Sequence, residues 1–549
     1  MERQKIQSYK GFETTLNRLF MESKMHMWIL FCLIVLHLTV FAFVWFTKMP
    51  AGTLGVIVDY TFSSMLGGIS PNTAERAEAL KPVAEMALSI SSKFLLYAAS
   101  VYLLHPVILI YFWKKAKKLQ EAKHLRGAVI ISAAELKKQM SKAREKTHLK
   151  IGEVDYPISA EVKHSFVIGR PGSGKTVCLS EIIEKLRNEK CIIYDFKGDF
   201  VSRFYRHEED ILFNPLDSRS VNWNIFSDIE NKLDVEAIAN SLVPQSQTTD
   251  TEKFFAEAAR SVFAGILENC IANEKKTHEE VWKLVSSPIG SVAGILHSIG
   301  HPGYTYIQDA GGKQSVGVQS TLMQFAACFR YMQQDVDFSF RRWLQQDGKG
   351  CLFVTNYSDM RDILRPILSL VIDLLSRKLL AMPDDLDRRV YFFLDEFGTL
   401  QRLSSIVQLL TLSRSKGGSV WIGIQDIGQI DQLYRKELRQ ALVNACATSV
   451  MFSVSDSDTA EFLSRRVGER EIIEVEESHS MGPESMRDGL TISKRKKKEA
   501  LILPSEFQNL ADMEAYVKLP NYSVAKTKLE WKKYPAMSQS FISRRELML

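Results

Sequence analysis

Hydrophobic positions along this chain fall into two membrane-length runs near the amino terminus and, after residue 150, into strand-length runs that end on polar or acidic residues. Met27 to Phe46 is apolar apart from His37 and Thr39, and about 20 such residues suffice to cross the hydrocarbon core of a bilayer. The run is too long for the core of a signal peptide, and no small-residue cleavage site follows it. A second run, Phe94 to Trp113, is bounded by Lys93 and by Lys114-Lys115. The pattern predicts a two-helix transmembrane hairpin over residues 1–113, with spans 27–46 and 94–113. The loop between them, 49–93, is broken at Ala51-Gly52, Gly67-Gly68 and Pro71 and holds one helical stretch, Thr73 to Leu88. Arg3, Lys5, Lys10, Arg18 and Lys24 precede the first span and a basic cluster from Lys114 to Lys118 follows the second, while the loop carries few positive charges. The positive-inside rule then puts both termini in the cytoplasm and the loop outside it. His37 is expected to pack against the second span or a partner.

Residues 114–150 are rich in Lys, Arg and good helix formers, apart from Arg126 to Ile131, and read as a basic stem. Ser165 to Ile168 is an apolar strand-length run, a helical segment follows through Leu186, and Cys191 to Asp195 is a second such run. Strand, helix and strand in this order form a parallel unit whose ligand edge lies at the strands' carboxyl ends. Asp195 and Lys197 are therefore expected near that edge. From about Ile225 to Trp343 the apolar residues recur at helical spacing instead, in Val235 to Leu242, Phe254 to Ala272, Glu279 to Val285 and Gln319 to Met332. Strand-length runs resume at Cys351 to Thr355, Val390 to Leu394 and Val420 to Ile424, and alternation from Val517 to Leu529 reads as closing strands. The prediction is an α/β domain over 151–224 and 344–549, interrupted by an all-α insertion over 225–343.

Composition changes this picture little. A chain of 549 residues suggests about three or four units, and 46% hydrophobic with 24% charged residues is the balance of a folded protein. The net charge of +6 permits nucleic-acid or anionic-lipid partners and demands neither. None of the 7 cysteines forms a C-x-x-C pair, so neither a zinc site nor a disulfide framework is supported. Glu469, Glu471, Glu474, Glu476 and Glu477 precede a block from Lys494 to Lys498. That charge-segregated stretch reads either as an exposed excursion or as an element contacting DNA or a neighbouring subunit.

The candidate chemistry sits at the ends of the apolar runs. Gly169-Arg170-Pro171-Gly172-Ser173-Gly174-Lys175-Thr176 is a G-x-x-x-x-G-K-T loop between a strand and a helix. Its backbone N–H groups can converge on phosphate, Lys175 can reach the β- and γ-phosphates, and the Thr176 hydroxyl can ligate Mg²⁺. A nucleoside triphosphate is the expected ligand. Val390 to Leu394 leads into Asp395-Glu396, a Walker B arrangement in which Asp395 orients Mg²⁺ through its water shell and Glu396 polarises the attacking water. Gln425 closes the next apolar strand and can sense the γ-phosphate. Arg414 falls in a Gly-rich turn between these strands, is expected on the nucleotide's edge of the sheet, and could reach a neighbouring subunit.

With the hairpin, the Gly169 to Thr176 loop, the helical insertion, Leu394-Asp395-Glu396-Phe397-Gly398, Arg414 and Gln425-Asp426-Ile427-Gly428-Gln429 in this order, the chain resembles the coupling proteins of type IV secretion and conjugation, the TraD/TrwB-like ATPases. Arg126-Gly127-Ala128 resembles the TraD branch. The resemblance implies a RecA-like P-loop NTPase domain in a homohexameric motor at a bacterial inner membrane, with loop 49–93 periplasmic and a central channel for single-stranded DNA. It implies ATP and Mg²⁺ as cofactors, and a relaxase or relaxosome and the secretion channel as partners. Lys175, Asp395, Glu396, Arg414 and Gln425 would be the P-loop lysine, Walker B acids, arginine finger and sensor glutamine. The sequence ends at Leu549 without the long acidic tail of some relatives, so partner selection is expected to fall to the insertion or an accessory protein. Two alternatives stay open: a secretion ATPase moving protein effectors, and a receptor that uses nucleotide only as a switch.

Overall fold

The computed structural model describes residues 27–49, 51–66, 71–120, 123–245, 249–333, 338–346, 348–480 and 489–544. The chain divides into two units, residues 1–122 with 474–495, and residues 123–473 with 496–549.

In the first unit, Met27–Lys48 is the one helix among the described residues long and apolar enough to cross a membrane. His37 donates from Nδ1–H to the Leu33 carbonyl at 2.7 Å, and its ring lies beside Phe94, Tyr97 and Tyr102. The rest of this region departs from the expected loop and span. Thr53–Leu66 is helical, and Pro71–Gln120 is a single helix of 50 residues. Pro71 occupies the first helical position, where a missing N–H costs nothing; the helix continues past Pro82 and Pro106 and through the expected 94–113 boundary. The two-helix hairpin is therefore not delimited by the fold, and most side chains of 100–120 lie outside the described residues.

The second unit is built on a ten-stranded sheet. Its parallel part runs in the order Thr448–Met451, Ser165–Ile168, Gly418–Ile424, Val390–Leu394, Lys190–Asp195, Gly350–Thr355 and Ile211–Phe213. Glu514–Lys518 and Val524–Lys528 extend it antiparallel, and Ile130–Ile131 closes that edge. These strands are continuous apolar runs because both faces are covered. Phe166, Ile168, Ile192 and Tyr194 point into one apolar cluster, which continues without a break into the helices of the insertion. Their neighbours Val167, Cys191 and Ile193 point into the other, against Leu179, Ile182 and Ile183 of the helix Lys175–Leu186. The insertion thus shares its core with one sheet face. Its main helices are Lys232–Leu242, Asp250–Ala272, His278–Ser286, Ile289–Ser298 and Lys313–Ala326. Buried Asp373 ties insertion to sheet domain, accepting hydrogen bonds from the Ser241 and Ser404 hydroxyls and the Ser405 N–H.

The stem reading for 114–150 holds for composition and not for structure. Lys123–Gly127 is a strand paired with Glu469–Ser480, Ile130–Ile131 joins the main sheet, and Ala133–Lys142 is a helix opened by a Ser132/Glu135 capping box. Leu136 and Met140 are buried on its inner face. The charge-segregated stretch contains two strands, Glu469–Ser480 and Gly489–Ala500, and Arg126 Nε donates to Glu471 Oε2 at 2.5 Å.

Candidate functional site

Ser165–Ile168 is buried along its whole length and delivers the chain to Gly169 in the middle of the sheet, with strands on both sides. The loop that follows is packed too closely for most side chains. A Cβ on Gly169 would lie 2.5 Å from Ser173 Oγ, and Gly174 holds φ +119° where it caps the helix Lys175–Leu186. The loop is braced from elsewhere in the chain. Arg170 donates from its N–H to the Ser453 carbonyl at 2.8 Å and from its guanidinium to Asp512 Oδ1 at 2.7 Å, and the Met513 N–H donates to the Ser173 carbonyl at 2.8 Å. The first amides of a 12-residue helix and the loop amides before it make an anion cradle at this point. Pro171 and Gly172 form its exposed tip, and Thr176 is half-buried at the second helical position.

Val390–Leu394 ends next to Lys190–Asp195, with Leu394 opposite Tyr194. Asp195 and Asp395 are therefore neighbours at the carboxyl edge. Asp195 accepts from the N–H groups of Asp199, Phe200 and Val201 at 3.1, 2.8 and 2.8 Å, which fixes the start of the helix Asp199–Phe204. Burial pushes its pKa up to about 7 against those hydrogen bonds, and Asp395 adds to the rise. Burial likewise pushes Asp395 up to about 6, with Lys175 pulling the other way and Glu396 adding to the rise. Asp395 Oδ1 is buried without a hydrogen-bond partner. Among the described residues no group of three or more His, Cys, Asp or Glu could hold a metal. Mg²⁺ at phosphate sites is held by few protein groups and keeps much of its shell as water and substrate oxygens, and Thr176 and Asp395 are the groups present here that fit such a site.

Gly418–Ile424 lies between the P-loop strand and the acid-tipped strand. It carries Gln425 to the Lys175–Glu396 pair. Lys175 Nζ and Gln425 Nε2 both donate to Glu396 Oε1, each at 2.9 Å. Lys175 and Glu396 are 5% and 4% exposed, so this is a desolvated ion pair with an amide as third member. Lys175, Asp395, Glu396 and Gln425 are brought together; Arg414 is not. It is exposed in the turn Ser413–Lys416, immediately before Gly418–Ile424. A residue before a parallel strand lies at the sheet's amino edge, so the expectation of the nucleotide's own edge is corrected. One strand length, roughly 20 Å, separates the turn from Gln425.

The braces on the loop, Ser453, Asp512 and Met513, had no signal in the sequence. Asp195 did, as the acid that closes a buried strand, although its observed partners are backbone amides.

A P-loop beside an acid-tipped strand, with one strand between them and a helical insertion on one face, defines a RecA-like P-loop NTPase. Within that class, residues 148–530 match the family described as type IV secretion-system coupling protein DNA-binding domain, and the chain belongs to it. Coupling protein TraD of Escherichia coli (strain K12) is 28% identical over 423 residues, which cover 74% of this chain and 58% of TraD. The chain thus aligns with less than two thirds of that relative's length. Among solved structures, the unbound bacterial conjugative coupling protein TrwBdeltaN70 is 29% identical with a TM-score of 0.69, covering 77% of this chain and 97% of that one. TrwB in complex with ADP and Mg²⁺, and with the non-hydrolysable ATP analogue ADPNP, each match at 29% identity and TM-score 0.68, covering 77% of this chain and 98% of the other.

Proposed function

We propose that this chain is an ATP hydrolase of a bacterial inner membrane that takes single-stranded DNA from a relaxosome and drives it through a type IV secretion channel during conjugation. The observation that carries the reading is the convergence of Lys175 and Gln425 on one oxygen of buried Glu396. Family membership and the nucleotide complexes of TrwB support ATP as substrate and Mg²⁺ as cofactor.

In this reading the amides of residues 170–176 and the side chain of Lys175 bind the phosphates. Lys175 exchanges Glu396 for the γ-phosphate, which leaves the carboxylate to accept a proton from the attacking water while Gln425 stays within reach of both. Thr176 and Asp395, the latter through water, would hold Mg²⁺, whose contribution is to neutralise charge on the β- and γ-oxygens. Arg414, facing outward at the far edge, acts in a neighbouring subunit of a homohexamer. The test is turnover of purified protein with and without single-stranded DNA: a several-fold rise is expected, and an equal rate with and without DNA would reject the motor assignment.

The same reading makes the chain two-pass with cytoplasmic termini, on the strength of the basic flanks around 27–46 and 94–113. Single cysteines placed in 49–93 should react with a membrane-impermeant thiol reagent in spheroplasts, and cysteines beyond Lys114 should be protected. The opposite pattern would reverse the topology.

A further inference from the structure

The sheet domain and the insertion do not close completely against each other. A cavity of about 290 Å³ remains at their seam, and Arg260, Arg377 and Arg402 line it. Three guanidiniums in one small cavity repel one another unless an anion sits among them. The acid in contact is already committed. Asp373 accepts from Arg377 Nε at 3.1 Å and from Ser241, Ser404 and Ser405 as well. Arg260 donates to Asn240 Oδ1 at 3.1 Å, and Glu257 and Glu236 act on it from nearby helix positions. The Arg402 guanidinium, among the described residues, has no hydrogen bond or ion pair. Burial holds its pKa below the ordinary arginine value, Tyr434 opposes that, and Arg435 adds a second cation's repulsion.

We propose that this seam is a binding site for a backbone phosphate of single-stranded DNA, with Arg402 as its principal cation and Arg260 and Arg377 as flanking ones. The proposal rests on the motor reading above and names a contact that reading lacks. A planar guanidinium with its donors open matches phosphate geometry, and an oxyanion would neutralise the cavity.

The position also has a consequence for turnover. Arg402 stands six residues after Glu396 on a run fixed at almost every step. Thr399 donates from N–H and Oγ1 to the Glu396 carbonyl at 2.9 and 2.7 Å. The Leu400 carbonyl accepts from Arg365 at 2.9 Å, Gln401 Nε2 donates to the Leu242 carbonyl at 3.1 Å, and the Leu403 N–H donates to Tyr434 Oη at 2.9 Å. A phosphate drawn onto Arg402 pulls on a short, taut connection to the hydrolytic acid.

The experiment is titration of the full-length protein, in detergent, against a fluorescein-labelled single-stranded oligonucleotide at several salt concentrations, with fluorescent ADP binding as a control on the fold. Arg402→Gln should weaken DNA binding about tenfold or more at low salt and reduce the slope of log affinity against log salt by about 0.7. Arg402→Lys should keep the slope. The ratio of DNA-stimulated to unstimulated turnover should fall in Arg402→Gln. An Arg402→Gln protein that binds ADP normally and DNA with parental affinity and slope overturns the site. Should that variant lose ADP affinity, Arg260→Gln carries the test with the same two outcomes, a reduced slope or a parental one. If the parent itself has no affinity for single strands, the motor reading falls and this site with it; if the parent binds and the variants match it, the site alone falls.

Discussion

Lys175→Ala should lose nucleotide binding and turnover together, whereas Glu396→Gln should keep binding and lose hydrolysis. The two side chains form one buried pair at 2.9 Å, so the contrast lies in what each change leaves behind. Glutamine at 396 retains an oxygen that can accept from Lys175 and Gln425, but it cannot take a proton from water. A positioned general base contributes roughly 10²- to 10⁴-fold to rate, and single-turnover hydrolysis in Glu396→Gln should fall by about that factor with ATP still bound. Removing Lys175 deletes a phosphate contact and also leaves the Glu396 carboxylate buried with only Gln425. Breaking a buried pair in this way costs about 3–5 kcal/mol, so lower thermal stability should accompany the lost affinity. Fluorescent-nucleotide titration and single-turnover assay separate the cases. Parental turnover in Glu396→Gln would remove Glu396 from its role as the water-polarising acid.

Much of this site was legible because a strand buried on both faces has to be apolar throughout, so its end is marked by the first polar residue. Gly169, Asp195, Asp395 and Gln425 all stand at such ends, and parallel strands bring them to one edge. The same polarity carried a second message about Arg414. It precedes its strand where Gln425 follows it, so the two belong to opposite edges. Other features left no local trace. Ile130 and Ile131 are too few to register as a strand by alternation, and only their pairing with Val524 and Ala525 makes them one. Asp512 and Met513 brace the P-loop from more than 300 residues away, and ordinary loop composition gives no hint of it. The long helix from Pro71 is the reverse case: the glycines and proline that suggested an extended loop lie before it or at its first turn, where proline is at home.

Arg414→Ala should abolish hydrolysis although the residue is exposed and roughly a strand's length from its own nucleotide edge. Phosphoryl transfer spreads negative charge over the γ-phosphate oxygens, and a guanidinium supplied from another subunit is worth about 10³- to 10⁵-fold in turnover. An exposed arginine serving only its own surface would cost little on removal. The fold gives Arg414 a rigid base for reaching outward. The Gly417 carbonyl accepts from the Val390 N–H at 3.0 Å, the Ser415 carbonyl accepts from the Asp385 N–H at 2.8 Å, and Lys416 pairs with Asp384 at 2.6 Å. The turn is thereby pinned to the start of the acid-tipped strand while Arg414 itself faces away. Lysine should not substitute, since a single ammonium cannot present the paired donors of a guanidinium. The decisive measurement mixes Arg414→Ala with Lys175→Ala subunits, each inactive alone. Interfaces that bring an intact P-loop against an intact arginine should hydrolyse ATP, so the mixture should exceed both parents. If mixed oligomers form and turnover does not recover, Arg414 does not act in trans.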